Sequence, residues 1–285
     1  MLNKGLVLVA LSAILWGISG GLGSFLMEKG WDPLVVSFYR GTVGLICLLI
    51  WFVFRPVRLN KRLCLWAVVA GIGIVGNFVF YFVSISESSV AVAAALMYTA
   101  PIFVLLISFI FHLEKPSLFK FIAIAFVMVG VVLLTEVYNV GSDQVTTIGL
   151  LAGLGAGLSY ALFIFGFKYA SKHGEPQGIL AIAFLTFTLI MLFFTDLNEA
   201  VSVIYSPDWF WMILLGIFGA GLSFFLYVVG LEETSPTSAS VIAMVEPVTA
   251  SSFGFFLLSE TLNVVQLCGM AIILITVTVL SVKKG

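Results

Sequence analysis

Charged side chains are scarce in this chain, since Asp, Glu, Lys and Arg account for only 9% of its 285 residues. Ordinary soluble domains contain about 25% charged residues and about 50% apolar ones. Here 61% of the residues are hydrophobic, and the mean hydropathy is +1.20. A water-soluble fold could not bury so much apolar surface, so the composition predicts an integral membrane protein that is surrounded by the lipid bilayer.

Features that would indicate other classes of protein are also missing. The chain has no basic tract or acidic tail and a formal net charge of −1, which argues against nucleic acid as a partner. Its three cysteines form no CxxC pair and have no His at metal-ligand spacing. The segment 71–76 matches GxGxxG, but that motif binds dinucleotides only between a strand and a helix, and here it lies inside an apolar run. We therefore expect no metal and no cofactor.

Long apolar runs are abundant instead. Ten runs are uncharged or nearly so, and a transmembrane helix needs about 20 such residues. Barrel strands would be about ten residues long and would alternate polar with apolar residues, so helices are predicted. The ten runs cover residues 5–27, 34–54, 63–86, 88–111, 118–135, 145–167, 177–195, 209–231, 235–259 and 261–282.

Basic residues are distributed unevenly between the two sides that these runs define. With the N-terminus in the cytoplasm, 11 of the 13 Lys and Arg residues fall on the cytoplasmic side, Lys29 falls outside and Arg40 lies within a run. The positive-inside rule therefore predicts a multi-pass protein of the cytoplasmic membrane with both termini in the cytoplasm. The predicted outer residues are Lys29, Asp143 and Asp208, and the predicted cytoplasmic ones are Lys61, Lys115 and Lys172.

The second half of the chain repeats the first. We therefore divide the chain into residues 1–140 and 141–285, with five runs in each. Because five is odd, the second copy enters the membrane from the opposite side, and inverted repeats place a solute site near the midplane between the copies. The predicted fold is all-α, with ten transmembrane helices in two five-helix inverted repeats. An offset of 146 aligns Gly73 with Gly219, Tyr81 with Tyr227, Pro101 with Pro247 and Glu114 with Glu260, and an offset of 144 aligns Trp16 with Tyr160.

Five features carry a family resemblance: Trp16-Gly17 in the first run, Arg40 in the second, Glu246-Pro247 in the ninth, and Glu114 and Glu260 at the ends of two runs. Together they resemble the EamA-type branch of the drug/metabolite transporter superfamily, over essentially the whole chain. The resemblance implies ten helices in two halves and secondary transport. It also implies substrates that range over amino acids, other metabolites and drugs.

Two charged residues lie deep within the predicted spans. Glu246 lies about 15 Å along the ninth run at about 1.5 Å per residue, where an unpaired charge is costly, and the adjacent Pro247 favours a kink. Arg40 lies about 10 Å from the outer side by the same rise. Glu246 either binds substrate or carries a proton, or else it is a structural carboxylate. Arg40 either pairs with Glu246, extends outwards, or binds an anionic group of the solute.

Aromatic and amide side chains complete the candidate substrate-binding site. Such side chains suit an amphiphilic solute, and aromatic faces can hold a cation. Each one alone is equally compatible with core packing, but two aligned pairs at duplicated positions favour a lining role. The set comprises Trp16, Asn77, Tyr81, Tyr98, Tyr160 and Tyr227.

Glycines recur every four residues in the sixth run, at Gly149, Gly153 and Gly157. This spacing places them on one helix face, where a second backbone can approach closely. Plain helix packing and helix sliding during transport are both compatible with this pattern.

The predicted function is secondary transport, with export as one possibility, of a small amphiphilic metabolite such as an amino acid or amine, by alternating access at a site near the midplane. No P-loop is present, so a proton or solute gradient rather than ATP is expected to drive it. A channel is less favoured because no repeated polar filter is present. An intramembrane enzyme is less favoured because HExxH, paired intramembrane carboxylates and a Ser with a His partner at membrane depth are missing, so no catalytic residue is predicted.

Overall fold

A computed structural model describes residues 4–115, 117–141 and 145–282. Within these residues the chain forms helices and no β-strand, which confirms the predicted all-α class. A π-helix, Ile217–Leu222, joins α10 to α11, and a short 3-10 turn, Val137–Asn139, follows α6. The α-helices are α1 Lys4–Glu28, α2 Pro33–Phe54, α3 Lys61–Ser86, α4 Val90–Met97, α5 Ala100–Ile110, α6 Leu118–Thr135, α7 Thr147–Ala170, α8 Pro176–Met191, α9 Leu197–Tyr205, α10 Trp209–Gly216, α11 Ser223–Glu232, α12 Pro236–Ala243, α13 Val245–Leu257 and α14 Val264–Val282.

Nine helical segments in the described residues are long and apolar enough to cross a membrane, and they coincide with nine of the ten predicted runs. The remaining run, 177–195, forms α8, whose 16 residues extend only about 24 Å at about 1.5 Å per residue. A tenth crossing at α8 therefore stays a prediction. α9 lies outside all predicted runs, and its first turn is capped by Asp196, which accepts from the N–H groups of Asn198 and Glu199.

The fourth and ninth spans are each interrupted near the middle. The fourth divides at Tyr98 and Thr99 into α4 and α5, and the ninth divides at Met244 into α12 and α13. Pro101 and Pro247 follow these breaks. Proline lacks the N–H that would continue the helical ladder, and it disfavours helical conformation in the preceding residue. The two breaks are related by the 146-residue offset, and each places a helix N-terminus within the thickness of the bundle.

Helices from the two halves of the chain pack directly on one another. α3 lies along α7, and α1 lies along α11 and α13. The approach is close because of glycine: a Cβ on Gly73 would lie 2.6 Å from the backbone N of Phe163, and one on Gly17 would lie 2.5 Å from the carbonyl oxygen of Glu246. The alignment of the two copies pairs α3 with α11 and α7 with α1. The contact of α3 with α7 and the contact of α11 with α1 are therefore equivalent in the repeat.

Polar contacts show which loops share an end of the bundle. At one end, called the Lys29 end, Lys29 Nζ pairs with Asp208 at 2.5 Å. Hydrogen bonds from Lys29 and Trp31 hold the pKa of Asp208 below its usual range. At the opposite end, called the Glu114 end, Glu114 accepts from the backbone N–H of Thr237 at 3.0 Å. Asp143, which is predicted on the same side as Lys29, lies outside the described residues.

Candidate functional site

A cavity of about 540 Å³ lies between the two halves of the chain. Its wall is built from α1, α2, α3, α4 and α6 of the first half and from α7, α10, α11 and α13 of the second. The lining extends from the middle of the spans to the Lys29 end, where it includes Glu260 and Val90, which is 60% exposed. The cavity is therefore accessible from the Lys29 end.

The cavity brings together most of the side chains predicted to bind substrate. Tyr227 does not line it. Its side chain is fully buried, with its ring centroid 4.9 Å from that of Trp16. It lies about one helical turn beyond the lining residue Phe224, because α11 runs away from the cavity towards the Glu114 end. The seven predicted residues that do line the cavity are Trp16, Arg40, Asn77, Tyr81, Tyr98, Tyr160 and Glu246.

An aromatic cluster closes the cavity towards the Glu114 end. The Trp16 ring lies edge-on to Tyr160, with centroids 6.3 Å apart, and its centroid is 4.9 Å from that of Phe224. Phe163 packs against both Trp16 and Tyr160, with centroids 6.2 and 4.5 Å away. Trp16 and Tyr160 are only 2% and 3% exposed. Tilted and edge-to-face ring pairs of this kind are favourable, so these four residues form a packed floor, called the aromatic floor below.

Arg40 is held by contacts with both halves of the chain. Its Nε donates to the carbonyl oxygen of Gly219 at 3.1 Å, and its guanidinium carbon lies 5.2 Å from the centroid of the Phe78 ring. Gly219 belongs to the π-helix, a distortion that often marks functional sites. The terminal nitrogens of Arg40 donate to no group among the described residues. They are therefore available to an acceptor in the cavity that Arg40 lines.

Glu246 contributes a carboxylate from the opposite half of the chain. It lies in the first turn of α13, where the partial positive charge of a helix N-terminus favours an anion. The Tyr160 hydroxyl lies 3.4 Å from its Oε2 and donates to it. Among the described residues no ion pair joins Glu246 to Arg40. The interpretation in which these two residues form a direct ion pair therefore does not describe this structure.

Asn77, Tyr81 and Tyr98 line the wall between the aromatic floor and the Lys29 end. Asn77 Nδ2 donates to the carbonyl oxygen of Ala156 at 3.0 Å, which ties α3 to α7. Tyr81 lies four residues further along α3, on the same face. Tyr98 is the residue at which the fourth span breaks, and it is 7% exposed. The wall thus presents one amide and two phenol groups.

Several residues that line the cavity were not among the predicted site residues. Ser37 precedes Arg40 by three positions and so lies on the same face of α2, a signal that the sequence does contain. Phe78 also lines the cavity, but nothing in the sequence distinguishes it from Phe80 of the same helix, which is 44% exposed. Ser251 also lines the cavity, a little more than one turn beyond Glu246, and no sequence pattern marks it as a lining residue.

A polar cluster ties the two halves together at the Glu114 end. The Glu114 carboxylate accepts from the N–H and the hydroxyl of Thr237, both at 3.0 Å, and pairs with Lys120 at 2.5 Å. Lys120 also donates to Ser235, the residue that caps α12, at 3.0 Å. Burial would raise the pKa of Glu114, but hydrogen bonds from Lys120 and Thr237 outweigh it and hold the pKa below its usual range. The carboxylate is therefore held ionised at this end.

The equivalent carboxylate at the Lys29 end makes no such contact. Glu260 corresponds to Glu114 in the repeat, and Ser89, which caps α4, corresponds to Ser235, which caps α12. Glu260 lines the cavity, is exposed, and its carboxylate makes no hydrogen bond within the described part of the chain. The Lys29–Asp208 pair links the halves at the Lys29 end, but the polar cluster at Glu114 has no counterpart at Glu260, where the cavity is open.

Fold and cavity together define a multi-pass, all-helical membrane protein with a solute-sized space between its two halves. Comparison with known proteins gives the family. The model of the EamA-like transporter family matches residues 3–136 and again residues 147–282. The chain belongs to the EamA-like transporter family, with the family domain present twice.

Relatives with full-length similarity are named as transporters. An uncharacterized transporter of Archaeoglobus fulgidus is 29% identical over 93% of this chain and 92% of its own length. The uncharacterized inner membrane transporter YedA of Escherichia coli is 26% identical over 95% of this chain and 88% of its own length. A crystal structure of a protein with 17% identity superposes with a TM-score of 0.76 over 97% of this chain and 96% of that one, which shows a shared fold. These names indicate transporters rather than enzymes.

Proposed function

We propose that this protein is a secondary transporter of a small amphiphilic metabolite, amino-acid-like or amine-like, which binds in the cavity between the halves. The observation that carries the proposal is the placement of Arg40 and Glu246 on opposite halves of one cavity without a direct ion pair. An unpaired charge within a membrane is costly, and such residues commonly mark a solute pathway. A solute that carries both charges would satisfy both residues.

The shape and lining of the cavity favour a solute with an apolar part. A volume of about 540 Å³ is within the range of about 300–1,000 Å³ that small-molecule sites occupy. Trp16 and Tyr160 contribute aromatic rings to the lining. The guanidinium nitrogens that Arg40 leaves free can bind a carboxylate by two parallel hydrogen bonds. An amino acid with an apolar side chain would match the arginine, the carboxylate and the aromatic floor together.

Alternating access is supported by the unequal ends of the bundle. Glu114 joins the first half to α12, whereas the carboxylate of its counterpart Glu260 lies beside the open cavity and accepts no hydrogen bond from the described residues. We propose that residues 1–140 and 141–285 act as inverted repeats, each of which can adopt the conformation that the other has here. In the exchanged state, Glu260 approaches the N-terminal cap of α4, and Glu114 leaves the N-terminal cap of α12. With ten crossings and both termini in the cytoplasm, the present cavity faces outwards, and a proton or solute gradient drives transport.

Counterflow in proteoliposomes tests the function. Purified protein in liposomes preloaded with one unlabelled amino acid should take up the labelled form saturably, faster than liposomes without internal amino acid. A prior thermal-shift screen would select the compound, because a ligand at 100 times its Kd stabilises by about 2.7 kcal/mol. A flux that rises linearly with concentration and ignores the internal amino acid would instead indicate a channel.

A further inference from the structure

Unpaired polar atoms lie at and behind the aromatic floor, towards the Glu114 end. Seven buried side-chain atoms within the described residues have no hydrogen-bond partner there, and four of the seven belong to the facing helices α1 and α11. A buried polar group without a partner is uncommon and requires a physical explanation. The four atoms are Ser12 Oγ, Trp16 Nε1, Ser223 Oγ and Tyr227 Oη.

Two of these residues are equivalent, in the alignment of the two copies, to residues that line the open cavity. The offset of 146 that aligns Tyr81 with Tyr227 also aligns Asn77 with Ser223. Asn77 and Tyr81 line the cavity on the face of α3, whereas Ser223 and Tyr227 are both fully buried on α11. The face of α3 that carries Asn77 and Tyr81 therefore lines the open cavity. The equivalent face of α11, which carries Ser223 and Tyr227, is buried, and α11 packs against α1.

We propose that Ser223 and Tyr227, with Ser12 on α1, line a second half of the solute pathway that is closed in this conformation and opens towards the Glu114 end. The proposal rests on the alternating-access function proposed above. When α1 and α11 separate, water or the polar groups of the solute take the hydrogen bonds that these hydroxyls lack while buried. Tyr227 then has the role at the Glu114 end that Tyr81 has at the Lys29 end.

Packing alone does not account for these side chains. Tyr227 fills its space with a ring that touches Trp16, and phenylalanine would fill that space without an unpaired hydroxyl. Alanine at Ser223 would likewise avoid a buried donor that finds no acceptor. Hydration of the region, or binding of a polar group, in another conformation would give these hydroxyls the partners that they lack here.

Thiol labelling from each face of the membrane tests the proposal. In a full-length variant whose Cys47, Cys64 and Cys268 are replaced by serine, Ser223→Cys is treated with a membrane-impermeant charged maleimide in inside-out and in right-side-out vesicles. The matched control is Thr188→Cys. Thr188 Oγ1 is also buried without a partner, but it lies on α8, away from the proposed pathway. Counterflow of an amino acid is measured on the same variants.

We expect Ser223→Cys to be labelled in inside-out vesicles and to remain unlabelled in right-side-out vesicles. Thr188→Cys should remain unlabelled in both. A Ser223→Cys protein that performs counterflow but resists the reagent from the Glu114 face overturns the pathway and leaves the transport function intact. Equal labelling of Ser223→Cys and Thr188→Cys also overturns it, because general opening of the bundle would then explain both. Absence of counterflow in the parent protein would count against the transport function, whatever the labelling shows.

Discussion

Glu114→Gln tests whether the polar cluster at the Glu114 end holds the protein in its present conformation. The Glu114 carboxylate accepts from Thr237 and pairs with Lys120 at 2.5 Å, with side chains only 11% and 21% exposed. Glutamine keeps an acceptor for Thr237 but loses the charge that Lys120 binds. A hydrogen bond to a charged group contributes about 1.5–3 kcal/mol, and partial exposure of the pair favours the lower value. Since about 1.4 kcal/mol is tenfold in an equilibrium constant, the ratio of outward-facing to inward-facing protein should fall about tenfold.

The ratio can be followed with a reporter cysteine in the open cavity. Ser251→Cys is nearly isosteric and lies on the cavity wall, so its labelling by an impermeant reagent from the Lys29 face reports the open conformation. In a background without the native cysteines, Glu114→Gln should slow this labelling. Glu260→Gln is the matched control. Its carboxylate makes no hydrogen bond within the described residues, so its loss should leave the labelling unchanged or accelerate it.

The result that would refute this reasoning is a Glu114→Gln protein that melts at a lower temperature while the reporter cysteine reacts at the parental rate. The ion pair with Lys120 would then stabilise both conformations equally and would have no part in closing that end. A ligand or contact shifts an equilibrium only by the difference in its interaction with the two states. Slower labelling in both Glu114→Gln and Glu260→Gln would also contradict the proposed exchange of roles.

Four further outcomes are expected. Glu246→Gln should preserve the fold and the melting temperature but abolish gradient-driven transport in proteoliposomes; normal transport would remove Glu246 from the mechanism. Gly153→Leu should reduce transport per folded molecule more than Leu151→Phe on the exposed face of α7, because a Cβ at Gly153 already lies 2.6 Å from a side-chain atom of α4. Lys29→Ala should lower the free energy of unfolding by about 1 kcal/mol or less, since Lys29 is 39% exposed and such pairs are screened. The pKa of Asp208 is lowered, so its stabilisation is fully present above about pH 4, the unfolded pKa, and should be lost as the pH falls through the lower pKa of the folded state in acid-denaturation titrations.

Scarcity of charge and the positions of proline made most of the fold predictable. Uncharged runs of about 20 residues can form only helices in a bilayer, and nine such helices are found in the described residues. The kink expected at Pro247 is present as a break at Met244. The π-helix at Ile217–Leu222 was not predictable, because its residues have no composition that distinguishes them from an ordinary span. It is defined by packing between the halves and by the contact with Arg40.

The site was predictable in its residue types but not in its conformation. Tyr81 and Tyr227 occupy equivalent positions in the repeat, so the sequence gives no reason to separate them. The structure does separate them, because among the described residues the cavity opens at the Lys29 end: Tyr81 lines the cavity and Tyr227 packs behind Trp16. Under the proposed alternating access, contacts such as that of Glu114 with Thr237 would determine which copy is open.

The two charges of the site are not duplicated in the repeat, unlike the carboxylates Glu114 and Glu260 at the two ends of the bundle. The counterpart of Glu246 in the first half is Ala100, and α8, which corresponds to α2, contains no basic residue to match Arg40. Under the proposed alternating access, the Glu114 and Glu260 carboxylates could exchange roles because each end has one, whereas a group present once would serve both conformations. Such a group would have to lie where the two proposed half-pathways meet. Arg40 is bonded to the π-helix, and Glu246 accepts from Tyr160 of the aromatic floor, so both charges lie beside the floor at which the proposed closed half would begin. A solute bound to both charges would therefore keep the same partners while the helices around it rearrange.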